Sequence, residues 1–178
     1  MMDLIQHSIL NWLPPLLAII LCFIILIQDF KDREITVLVA ISLGLSLFLW
    51  RLNWKSYDDI LMDWIYILFF LILQFGLLFS YIQIRYGDGK NLFKKWMGLG
   101  DLLFLLCVGI AFGTFEFTFF FICSLISCIL FFIISNGKAK TIPYAGIASL
   151  LIVMKVGYEF ITQQEWSFVS NELFDQLI

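Results

Sequence analysis

Charge is what this 178-residue sequence has least of. Asp, Glu, Lys and Arg make up 14% of it, against 62% hydrophobic residues and a mean hydropathy of +0.97. A soluble domain carries about 25% charged and 45–50% apolar residues. A chain this short has no interior large enough to hide so much apolar surface from water, so a bilayer is expected to cover it. Histidine is nearly absent, with His7 alone. The four cysteines, Cys22, Cys107, Cys123 and Cys128, all fall in apolar runs, and none forms a C-x-x-C pair. The usual metal-ligand spacings are therefore missing; no metal or other cofactor is expected, and the cysteines read as small buried side chains. Basic residues are few and form no aromatic-interleaved patch, which argues against nucleic acid as a partner. The first sixteen residues hold no Lys or Arg, and no small-x-small site follows the first apolar run, so a cleaved signal peptide is not expected.

What is present is a series of apolar runs. They predict an all-α polytopic membrane protein of about six transmembrane helices, over residues 10–28, 35–50, 61–84, 99–113, 115–135 and 144–160. Pro14 and Pro15 put the start of the first helix near Pro15, where a proline is tolerated. A helix needs about 20 residues to cross ~30 Å of hydrocarbon. The second and fourth runs fall short of that, which points to a thinned or wetted region beside them. The sixth is less apolar and carries Lys155 and Glu159.

The loops give an orientation. Lys31, Arg33, Arg85, Lys90, Lys94, Lys95, Lys138 and Lys140 follow spans one, three and five. Only Arg51, Lys55 and Lys155 belong to the other side. The positive-inside rule then puts both termini outside and the three basic loops in the cytoplasm of a multi-pass inner (cytoplasmic) membrane protein. Residues 1–161 read as one transmembrane domain. The tail, 162–178, is too polar to span. Thr162 and Glu165 have capping-box spacing, and Trp166, Val169, Leu173 and Leu177 follow at helical spacing, so a short amphipathic helix on the outer surface is expected.

Two acids stand out. Asp29 directly follows ten nearly uninterrupted apolar residues at the cytoplasmic end of span one. Asp101 follows Gly98-Leu99-Gly100 at the cytoplasmic start of span four. An acid deep in a span costs ~2.5–3.5 kcal/mol on insertion scales and less near the interface. Singly, each has a plain structural reading: a cap for Asp101, an interfacial group for Asp29. Together they face the same side at similar depth. Two carboxylates held a few ångströms apart do not both ionise comfortably and share a proton. One can deprotonate a water while the other protonates a peptide carbonyl, with no metal or nucleophilic side chain. The glycines ahead of Asp101 permit the close backbone approach that an extended substrate strand needs. Gln28, beside Asp29, is placed to hydrogen-bond the pair. Asp32 and Glu34 read as a solvated loop, and Tyr86 to Lys90 as a turn. Lys94, Lys95 and Trp96 read as headgroup anchors.

The stretch from Met97 to Gly113, M-G-L-G-D-L-L-F-L-L-C-V-G-I-A-F-G, resembles the second active-site region of the type IV prepilin peptidases, the G-x-G-D membrane aspartyl peptidases. Asp29 to Ile35, D-F-K-D-R-E-I, resembles that family's first aspartate with its short basic loop. Lys140 to Tyr144, K-T-I-P-Y, looks like the family's start of the last span. The three motifs occur in the family's order, and the resemblance covers roughly residues 15–160. It implies catalytic roles for Asp29 and Asp101, with Gly98, Gly100 and Pro143 as structural or substrate-binding positions. It also implies prepilin-like precursors as protein partners and the lipid bilayer as surroundings. Two positions depart from the pattern: Leu103 stands where the family has lysine, and Ala145-Gly146 where it has Gly-Pro. The cysteine-rich N-terminal segment of longer members has no counterpart here, so a peptidase without N-methyltransferase activity is expected. Two rival readings are a small transporter and a non-catalytic membrane scaffold derived from the same fold. A transporter predicts ionisable groups along a midplane path, and spans one to five have none there. Leu103 keeps the scaffold reading open.

Overall fold

The structure, a computed structural model, describes residues 2–86, 98–135 and 142–162. Regular structure among them is entirely helical: α1 (Met2–Lys31), α2 (Val37–Arg51), α3 (Tyr57–Tyr86), α4 (Leu99–Gly109), α5 (Thr114–Ile134) and α6 (Tyr144–Thr162). Four of these, α1 from Trp12 onward, α3, α5 and α6, are long and apolar enough to cross a membrane. The 15 residues of α2 and the 11 of α4 are not. They measure about 22 and 16 Å at 1.5 Å per residue.

Three boundaries differ from the sequence reading by four residues or more, each for a local reason. The first helix does not begin at Pro15; it runs from Met2 with both prolines inside. A proline inside a helix removes one N–H from the backbone ladder, and packing against a neighbouring helix offsets that cost. Here the Ser46 hydroxyl of α2 donates to the Pro14 carbonyl at 2.6 Å. The third helix starts at Tyr57 rather than 61. The Ser56 hydroxyl accepts the Asp59 N–H at 3.2 Å and donates to its carboxylate at 2.7 Å, while Asp58 and Asp59 complement the helix dipole. The fourth helix stops at Gly109. Its last turn tightens through Ala111 N–H to Val108 and Phe112 N–H to Gly109 bonds, and Arg51 Nη1 donates to the Ile110 carbonyl at 3.2 Å.

Large apolar side chains such as Leu38, Ile84, Ile134 and Ile161 cover the outside. A surface of that kind suits lipid rather than water. The interior is organised around α6, which packs most extensively against α1 and also meets α4 and α5. Half of its apolar stretch is buried, against 17% for α3. Ala145, Ala148, Ile152 and Val156 form its inward stripe, and they share one core with Ala18, Leu21 and Ile25 of α1 and Phe104 and Val108 of α4. The small residues of that stripe let the backbones approach. The modest apolarity of α6 follows from this position: protein covers it, so lipid need not.

The expected amphipathic helix after Thr162 lies outside the described residues, as do Gly87 to Lys90, Lys94, Lys95, Trp96, Lys138 and Lys140.

Candidate active site

Asp29 lies in the last turn of α1 and is only 5% exposed. A carboxylate that deep in protein needs donors. It finds one in the backbone N–H of Gly146, which donates to Oδ2 at 2.6 Å. Asp101 is the third residue of α4 and is half-buried. Its own N–H donates to the Gly98 carbonyl at 3.2 Å, and its carboxylate faces the N–H groups of Gly98 and Ala145. The two carboxylates come from helices far apart in sequence and lie close enough for their charges to act on each other.

The meeting point is the first turn of α6. Pro143 precedes that helix, and its carbonyl accepts the Ile147 N–H at 3.1 Å. The first N–H groups of any helix have no partner within it. In α6 two of them, on the consecutive residues Ala145 and Gly146, are turned to the two carboxylates. The positive end of the helix dipole lies at the same place.

The glycines of the second motif serve contact. A side chain at Gly100 would come within 3.4 Å of Ile35 Cβ, so the last residue of the first motif packs on the backbone of the second. A side chain at Gly98 would come within 3.4 Å of Asp101 Oδ2. The fold thus brings together Asp29, Asp101, Gly98, Gly100 and Pro143, from three separate stretches. Gln28 is used differently from the expectation: its Oε1 accepts the Thr36 N–H at 3.3 Å and ties the loop after α1. Arg33 in that loop has a left-handed backbone (φ 58°), and its charge reaches Asp29. Asp32 and Glu34 are exposed, as a solvated loop requires.

Three neighbours of the carboxylates had no role at the site in the sequence reading. Ser124 Oγ and Tyr144 OH share a hydrogen bond of 2.8 Å between α5 and α6. Tyr144 is within electrostatic reach of Asp101, and Cys128 of both aspartates. A signal existed. Phe117, Phe120, Ser124 and Cys128 are the buried stripe of α5, and two small polarisable groups end a stripe otherwise made of rings.

No protein-family model, curated protein or solved structure matches this chain. A functional reading therefore rests on the geometry and on the motifs. Chemically, the site offers two carboxylates, two backbone donors and a hydroxyl pair. Among the described residues, no three His, Cys, Asp or Glu side chains gather as a metal site would need.

A second polar cluster lies toward the opposite ends of α2 and α6. Glu159 accepts from Trp50 Nε1 at 3.0 Å and pairs with Lys155, whose Nζ also stands 5.2 Å from the centre of the Phe112 ring. Arg51 pairs with Asp63, which also accepts from the Thr114 hydroxyl at 3.0 Å. Beside them is a cavity of about 10 Å³ lined by Trp50, Arg51, Trp54, Lys155 and Glu159. That is room for a single water, not for a solute.

Proposed function

We propose that this chain is a membrane-embedded aspartyl endopeptidase of the prepilin-peptidase type. Its substrates are prepilin-like or pseudopilin precursors, and it removes their short leader at the cytoplasmic face of the membrane. The observation that carries the reading is the convergence of Asp29 and Asp101 on the first turn of α6. One carboxylate takes a proton from water as the water oxygen attacks the scissile carbonyl carbon. The other, protonated, gives its proton to the carbonyl oxygen. Collapse of the tetrahedral intermediate breaks the C–N bond: the departing nitrogen takes the proton held by the first carboxylate, and a hydroxyl of the intermediate returns its proton to the second as the carbonyl re-forms. Burial of Asp29 keeps the charge of the pair little screened by water, which strengthens these proton transfers.

The reading includes six spans, with α2 and α4 as short ones, both termini outside and the site facing the cytoplasm. The loop charges support it through the positive-inside rule. The transporter alternative draws on the buried Lys155–Glu159 pair. The water-sized cavity beside that pair gives it little support.

The test is cleavage in reconstituted membranes. Wild type, Asp29→Asn and Asp101→Asn are each given a prepilin precursor with a short basic leader. Loss of either carboxylate is expected to slow leader removal by roughly 10²–10⁴-fold. Equal cleavage by all three would end the dyad reading.

A further inference from the structure

We propose that Gly146 is a positioning residue for Asp29, holding the carboxylate through its backbone N–H and admitting it by having no side chain. The inference rests on the aspartyl-peptidase reading and says how that site is kept in order.

Two observations converge on it. The first is the 2.6 Å bond from Gly146 N–H to Asp29 Oδ2, with both residues buried. A charge-assisted bond at a helix N-terminus is among the stronger kinds a backbone makes. The second is space. A Cβ at 146 would come within 2.9 Å of Phe30 Cδ2 and 3.2 Å of Asp29 Oδ2. Glycine is a poor helix former, and nothing in the helical backbone here calls for one. The close approach of α1 to α6 does call for it. The position is also one where the resembling family has proline, which has no N–H to give.

The consequence is an orientation. With Oδ2 committed to Gly146, Oδ1 is the oxygen of Asp29 left to meet a water. Ala145 N–H faces Asp101 from the preceding residue. Adjacent amides on one rigid helix therefore fix two carboxylates that arrive on different helices.

The experiment has two arms, both on the full chain in lipid nanodiscs. In the first, the protein is labelled with ¹⁵N-glycine, and the Gly146 amide is identified by its loss in Gly146→Ala. Asp29→Ala is expected to move that amide proton upfield and to speed its exchange at least about tenfold, while Asp32→Ala leaves it in place. In the second arm, Gly146→Ala is expected to lower kcat for the precursor at least about tenfold, with KM within about twofold and the protein still folded at the assay temperature. An amide that ignores Asp29→Ala, or full kcat in Gly146→Ala, overturns the positioning role. The peptidase reading survives that result if Asp29→Asn still blocks cleavage. If the amide responds but wild type cuts no precursor, the Gly146–Asp29 contact stands and the peptidase reading falls.

Discussion

Glu159 serves two donors at once, the Trp50 indole and Lys155, in a place where none of the three side chains has much access to water. Such pairs contribute little net stability when formed, yet breaking one leaves a stranded charge at a cost of about 3–5 kcal/mol. Lys155→Met is expected to lower the unfolding free energy in bicelles by about 3 kcal/mol. Adding Glu159→Gln is expected to recover much of that loss, because the neutral amide still accepts from Trp50. Equal losses in the single and double variants would show that Lys155 contributes by packing and not by charge. The residues of this cluster were visible in the sequence as charges in an apolar chain, and so were Asp29 and Asp101. What each would touch was not visible. A backbone N–H has no letter of its own, so the donor at Gly146 could not be read, while Pro143, three residues earlier, could. Cys128 and Ser124 were hidden for a related reason: small residues in an apolar run look like packing until a neighbouring helix brings a charge to them.

At the scale of helices, the contacts that hold Asp101 in place are testable through two glycines. Gly44 is where α2 meets α4. A Cβ there would come within 3.1 Å of Cys107 Cβ, 3.2 Å of its carbonyl oxygen and 3.3 Å of its Cα. Backbone cannot step aside as a side-chain tip can, so Gly44→Ala must push the helices apart. Overpacking of this kind costs about 1–3 kcal/mol, against a gain of up to about 1 kcal/mol in helix propensity. At Gly109 the nearest atom is Ile67 Cγ2 at 2.9 Å, the branch methyl of a buried side chain whose χ1 is held nearly fixed in a helix. Gly44→Ala and Gly109→Ala are both expected to destabilise the protein in bicelles, each by about 1–3 kcal/mol. A neutral Gly44→Ala would mean that α2 and α4 are not tightly apposed, and a neutral Gly109→Ala the same of α3 and α4. Helix existence was legible throughout, because each apolar run is long or bounded by charge. Helix ends were less so. Pro14 and Pro15 look like a start, and the Ser46 hydroxyl that serves Pro14 lies in another helix. The polar character of α6, which looks like a weak span, reports its central position instead.

Over the whole molecule, the two polar clusters set a length. They sit at opposite ends of α2, a helix of about 22 Å, and Gly146 and Glu159 are about 20 Å apart along α6. Both lengths fall short of the ~30 Å of hydrocarbon in a bilayer. On the six-span reading the membrane must thin at α2 and α4 or let water in, at fractions of a kcal/mol per ångström. The proposed hydrolase needs that water at Asp29 and Asp101, so the short helices and the proposed chemistry make the same demand. This couples topology to function and can be checked without any substrate. In a background with the four native cysteines replaced by alanine, Asn53→Cys lies between α2 and α3, and Asp32→Cys between α1 and α2; both native positions are exposed. With an impermeant maleimide, Asn53→Cys is expected to react in intact cells and Asp32→Cys only after the membrane is opened. If both react from the same side, α2 does not cross, and the two clusters do not face opposite compartments. The loop charges would then have to be explained without the positive-inside rule, and the carboxylates would lose their cytoplasmic placement even if they still touch.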